Sequence, residues 1–210
     1  MTDNISGLFG HDDNFNDTLK RFEDMLLSNK SVYFDVESFV EVADYMMHLH
    51  QYEKVRKILN IGLLQHPKSE ELLLKKAFLH IINENFDKAK HILMSLIKMT
   101  SGNPDVYYNL GYLYVRAKDT KKAIRYYDAT LSMSDTNQKV DFLYQIIDDL
   151  MDEFEYAVAI NYLHQLLEID PYDFEAIMDL TSSYKEIGQD EKAIELCNQF
   201  LDNDPFNEMV

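Results

Sequence analysis

Cysteine is almost missing from this chain, which holds one, Cys197, in 210 residues. A single thiol excludes an intramolecular disulfide framework and any zinc site built on several cysteines. Turn formers are scarce too. Six glycines and four prolines cannot supply a turn every 8–12 residues or so, which argues against a β-sandwich or barrel. No run of about 18 apolar residues exists, so nothing in the sequence reads as a bilayer-spanning helix. The N-terminal MTDNISGLFG lacks the basic n-region and apolar h-region of a signal peptide. Together these absences point to a cytoplasmic chain. Basic clusters are also missing. The 37 acidic residues outnumber the 20 basic ones, for a formal charge of −17. Nucleic-acid binding rests on Lys and Arg neutralising phosphates, and an anionic membrane surface attracts the same cations. Neither nucleic acid nor membrane fits this balance.

What is present is a folded composition, 46% hydrophobic and 27% charged, carrying an internal period. Pro171 and Pro205 lie 34 residues apart, and Pro67 falls at the same phase of an earlier block. Pro104 sits elsewhere in the unit, at a helix start, where proline is well tolerated. On this period the chain divides into blocks 36–69, 70–103, 104–137, 140–173 and 174–207, with Gln138 and Lys139 as an insertion. The twentieth positions are Val55, Ala89, Ala123, Ala159 and Ala193, followed four residues later by Leu59, Leu93, Tyr127, Leu163 and Cys197. The last positions, Ser69, Asn103, Asn137, Asp173 and Asn207, are all good N-caps. The second positions, Glu37, Glu71, Asp105, Asp141 and Glu175, place an acid in each first turn, where the helix dipole favours it. Apolar spacing of i, i+3, i+4, i+7 in both halves predicts two helices of about a dozen residues per block.

These residues resemble the tetratricopeptide repeat, patterned W-x2-L-G-x2-Y, A-x3-F, P. The third block fits best, with Tyr107, Leu110, Gly111, Tyr114, Ala123 and Tyr127; the fifth gives Leu180, Tyr184, Gly188, Ala193 and Pro205. The resemblance spans residues 36–207 and is of the bacterial multi-repeat type. It implies an all-α, right-handed α-solenoid of five helix-turn-helix units. Gly111 is expected where the two helices of a unit approach most closely, opposite Ala123. Ala43 and Ala77 stand at that position in the first two blocks, and Ile147 departs from the pattern in the fourth. Residues 1–16 are expected to be a flexible acidic tail. Residues 17–35 are expected to supply a capping helix, started by Asn16 or Asp17, and a linker. Residues 208–210 end the chain without a final helix, which points to a truncated array or to self-association through an uncovered C-terminal repeat.

Motifs of catalysis are lacking: no phosphate-binding glycine loop, metalloprotease helix or nucleophile elbow occurs. His48 and His50 are two residues apart, which on a helix turns them away from each other. His80 reads as a core or near-core residue, and Cys197 as a buried structural thiol. Asp148 and Asp149 are neighbours that splay apart, and such acids read as solubility. No catalytic, cofactor or metal residue is assigned.

In the resembled family, the first helices of successive units line a concave groove that holds a peptide or helix. The resemblance implies Leu74, Phe78, Tyr108, Asn109, Tyr112, Arg116, Tyr144, Asp148 and Asp152 as partner-binding positions. Phe78, Tyr112 and Tyr144 are the anchors; Tyr107 and Tyr114 are packing residues. The lysine–asparagine clamp that some relatives use for acidic chaperone tails is absent, since Leu74 and Phe78, or Tyr108 and Tyr112, stand in its place. The expected function is a non-catalytic protein-interaction scaffold for a basic or amphipathic partner, with self-association as the alternative.

Overall fold

A computed structural model describes residues 13–28, 32–100 and 102–203. Among them lie eleven α-helices and no strand. The chain forms two compact units, Met1–Met99 and Thr100–Val210.

The first unit contains α1 (Asp13–Ser28), α2 (Val36–His48), α3 (Tyr52–Gln65), α4 (Glu70–Ile82) and α5 (Phe86–Met99). α2 and α3 pack as one hairpin, and α4 and α5 as the next. Three rings tie α1 to the first hairpin. Phe22 stacks on Phe34 at 3.9 Å and meets Phe39 edge-on at 5.1 Å. All three are buried, with Met25, Val42 and Met46 around them. Gln65 then holds residues 32–34 against the end of α3, accepting from the Phe34 N–H at 3.1 Å and donating to the Val32 carbonyl at 2.7 Å. Helix α1 begins a turn earlier than the sequence suggested. Asp13–Asn16 are helical, so Asn16 and Asp17 lie inside α1 and cap nothing. The rest of the expected tail, residues 1–12, lies outside the described residues.

The second unit contains α6 (Pro104–Arg116), α7 (Thr120–Met133), α8 (Thr136–Asp152), α9 (Tyr156–Ile169), α10 (Phe174–Glu186) and α11 (Asp190–Asn203). They pair in order as three antiparallel hairpins. The first helices of four hairpins, and also α8, are capped by an Asx or Ser side chain. Asp35, Ser69, Asn103 and Asp173 accept from the backbones of Ser38, Leu72, Asp105 and Ala176 at 2.8–3.3 Å. The fourth hairpin departs from the expected register. Its N-cap is Asp135 rather than Asn137, and Asp135 and Gln138 form a reciprocal capping box. That pair satisfies two end groups at once, which places the start at residue 136. The insertion becomes part of the first turn of a 17-residue helix. Asn207 and residues 204–210 lie outside the described residues.

Each hairpin turn contains one residue in the left-handed region, at the same phase of every repeat: His50, Glu84, Lys118, Phe154 and Gly188, with φ from 54° to 72°. The following amide reaches back to the carbonyl five residues earlier, as Glu155 does to Leu150 at 2.8 Å, a Schellman-type closure that serves the last turn of the helix. Only one repeat uses glycine there, so this turn is nearly invisible to composition.

Gly111 does mark a close approach, and the atoms nearest to it belong to Tyr127. A Cβ at Gly111 would run into the Tyr127 ring of α7, whose Cγ alone is 3.0 Å from that position. Tyr127 is fully buried, and a ring gives less easily than a flexible chain end. Overpacking of this kind costs roughly 1–3 kcal/mol. Gly111→Ala should therefore lower the unfolding free energy by about that amount in a denaturant titration. The penalty should shrink when Tyr127 is first changed to Leu.

Candidate functional site

Two parallel stripes along α8 organise the second unit. The first consists of Phe142, Ile146, Asp149 and Glu153, spaced by four, three and four residues, and faces α6 and α7. Phe142 meets the Tyr108 ring of α6 at 5.7 Å. Asp149 accepts from the Tyr127 hydroxyl at 2.8 Å, and the Tyr108 hydroxyl is a further neighbour that favours its charged form. Glu153, the C-cap of α8, binds Arg116 Nε at 2.8 Å and Lys118 Nζ at 2.7 Å. One helix face thus contacts α6 through an aromatic pair, a shared carboxyl and a double ion pair.

Asp149 overturns the reading of the acids as solvated surface. Its side chain is half-buried, and burial pushes its carboxyl up to about 7 against the opposing pull of the neighbouring phenols. Burial and the nearby Asp149 charge hold the Tyr108 and Tyr127 hydroxyls well above the ordinary phenol value. A carboxyl in such surroundings resists ionisation because its charged form loses water that two hydroxyls only partly replace. No motif announces this cluster. The usable signal was the pairing of Tyr127, at a large-apolar position, with an acid 22 residues on.

The second stripe is Asp141, Tyr144, Asp148 and Asp152, and this is the expected groove face. Asp148 and Asp152 are exposed. Burial and the Asp152 and Glu175 charges raise the Asp148 carboxyl above its usual range. Asp179 of α10 is raised in the same way, by burial and then by Glu175, Asp148 and Asp173. Among the described residues no ion pair joins Asp148, Asp152, Glu175 or Asp179 to a cation. Glu175 and Asp179, at the second and sixth positions of the fifth block, are members of this acidic face that the sequence-derived site omitted. Tyr144 stands at its edge with its hydroxyl given to Asp173, the N-cap of α10.

Other expected contact residues are engaged within the chain. Asn109 is buried and its amide donates to the Asp105 carbonyl of its own helix at 2.8 Å. Tyr108 is held between Tyr127, Phe142 and Asp149. Arg116 places Nη1 3.2 Å from the Tyr112 hydroxyl and lies 5.9 Å from that ring while bound to Glu153. Tyr107 and Tyr114 both pack on Tyr126, at 6.4 and 5.5 Å. Leu74 and Phe78 belong to the first unit, where they are half-buried on α4, and Lys75 between them pairs with Asp44. Cys197 is half-buried near the Thr181 hydroxyl at 3.9 Å, not fully enclosed. His50 lies 3.0 Å from the Tyr52 hydroxyl. Among the described residues no three His, Cys, Asp or Glu side chains converge as a metal site. No helix among them is long and apolar enough to cross a membrane.

The stacked antiparallel hairpins, with their repeated caps and turns, define the class: an all-α helical-repeat protein of the α-solenoid type. Residues 104–137 and 150–210 match models of the tetratricopeptide repeat family, so the chain carries tetratricopeptide repeats there. The first match coincides with the third block. No curated protein matches the chain in sequence. Solved structures with the same fold include MamA, at 16% identity and a TM-score of 0.54 over 82% of this chain and 94% of that one. YrrB, a TPR protein with an unusual peptide-binding site, is 18% identical with a TM-score of 0.50 over 89% of this chain and 93% of its own. The Cut9–Hcn1 hetero-tetramer gives a TM-score of 0.61 at 14% identity, over 94% of this chain and 38% of that one.

An acid that holds its proton more tightly when folded lowers stability as pH rises from the ordinary aspartate value of 3.8 to about 7, because only the folded chain is protonated there. The unfolding free energy should therefore fall across that window. Asp149→Asn should flatten the profile by up to about 1.4 kcal/mol per pH unit, measured by urea titration at several pH values.

Proposed function

We propose that this protein is a non-catalytic interaction scaffold whose second unit docks a basic, amphipathic segment of a partner protein. The segment lies along the second stripe of α8 and the adjoining part of α10. Tyr144 offers its ring beside Asp148, Asp152, Glu175 and Asp179, and Tyr112 supplies a further half-buried aromatic surface on α6. The observation that carries this reading is the group of carboxylates that repel one another with no cation of the described chain to relieve them. A Lys- or Arg-bearing segment would lower the energy of that face as it bound, and would be steered to it by charge. The YrrB peptide-binding site supports the general use of this fold for peptide capture; the acidic chemistry is this chain's own.

Affinity capture from the native cell, followed by titration of the captured segment as a synthetic peptide, tests the reading. Asp148→Asn with Asp179→Asn should weaken the peptide by at least about tenfold, as expected for losing two charge contacts. Rising salt should weaken the wild type more than the variant. Equal affinity for both proteins would place the partner elsewhere.

A further inference from the structure

The first unit contains a cleft whose charge runs against that of the chain. It measures about 580 Å³ and lies between α3, α4 and α5. Arg56 and Asn60 come from α3, Lys76 and His80 from α4, and Lys88 from the start of α5. A second hollow of about 420 Å³ adjoins it, shares Lys76, His80 and Lys88, and is walled by Leu73 and Ile92. The three shared residues thus form a cationic ridge between a polar hollow and an apolar one.

Two of the three cations there, Lys76 and Lys88, form no ion pair among the described residues. Arg56 is paired with Glu53 at 2.6 Å. Lys76 donates to the Asn60 side-chain Oδ1 at 3.3 Å. Burial, and then the charges of Lys88 and Lys76, hold His80 below its ordinary value. The charged and titratable groups around His80 are Glu53 and Arg56 of α3, Lys76 of α4, and Asp87, Lys88 and His91 of α5. In a chain of charge −17, two ammonium groups without an ion-pair partner, set beside an imidazole at a cleft, are an arrangement for an anion.

We infer that this cleft binds a phosphate monoester carried on an aromatic or aliphatic body, with the phosphoryl group held by Lys76, His80 and Lys88 and the body against Leu73 and Ile92. A phosphate monoester carries close to two charges near neutral pH, which two lysines match. Lysine acts on it as a compact point charge and needs no planar fork, whereas a lone carboxylate is better served by a bidentate arginine, and the arginine lining this cleft, Arg56, is already bound to Glu53. The cleft is within the size range of small-ligand sites, roughly 300–1,000 Å³. Because it lies in the first unit, the inference is independent of the acidic face of the second.

The full chain, titrated with phenyl phosphate, inorganic phosphate and benzoate at constant ionic strength, tests this by calorimetry and by NMR of the His80 ring. Phenyl phosphate should saturate one site and raise the His80 midpoint. Inorganic phosphate should bind several-fold more weakly, lacking the apolar body, and benzoate more weakly still. Lys76→Gln with Lys88→Gln should weaken phenyl phosphate by at least about tenfold, at an unchanged melting temperature, while Lys121→Gln in the second unit should not. A phosphotyrosyl peptide in the same assay separates the sources: tighter binding than phenyl phosphate assigns the ester to a protein partner, and equal binding assigns it to a small molecule. Absence of saturation, benzoate binding as tight as phenyl phosphate, or undiminished affinity in the double lysine variant would overturn the site.

Discussion

The arrangement of the second unit depends on one carboxyl. Asp149 of α8 accepts a hydrogen bond from Tyr127 of α7 and lies beside the Tyr108 hydroxyl of α6. For Tyr127 to reach it, the ring must cross the face of α6, and Gly111 leaves the room. The glycine in YYNLGYLY, a tyrosine 16 residues on and an acid 22 beyond that act as one device. Glycine costs its helix roughly 1 kcal/mol in propensity, which burial of a whole tyrosine ring offsets. The phenols in turn reduce the cost of burying Asp149.

This inner stripe frees the outer one. With Phe142, Asp149 and Glu153 turned to α6, helix geometry sends Tyr144, Asp148 and Asp152 to another face. The two adjacent aspartates, Asp148 and Asp149, then have opposite roles. One is half-buried beside tyrosines; the other is exposed to like charges and drawn to a cationic partner. Adjacent residues differ by about 100° of helix rotation, which is what separates packing from docking here.

The repeat and its caps were legible because each rests on local chemistry. Ser69, Asn103 and Asp173 cap helices as their type and phase require. Asn137 failed because Asp135, two residues earlier, has Gln138 in position to complete a capping box, a pairing that a fixed 34-residue grid hides. The left-handed turn position was hidden for another reason: four of its five occupants are His, Glu, Lys and Phe, held there by the Schellman closure and not by residue preference. Repeat phase alone puts Asn109 and Tyr108 in the groove. Their neighbours in this chain, the Asp105 carbonyl and the Asp149 carboxyl, draw their polar ends into the fold. Asp149 itself was unreadable because burial of an acid depends on partners from other helices, which no spacing within α8 encodes.

The central claim is that Asp149 is a half-buried carboxyl held by the Tyr127 hydroxyl beside Tyr108, and its own titration tests this most directly. Carbon-13 NMR of the side-chain carboxyl across the acid and neutral range should give a midpoint near 7, lifted from the ordinary 3.8 by burial. A midpoint at or below 3.8 would show a solvated or charge-stabilised aspartate and contradict the account.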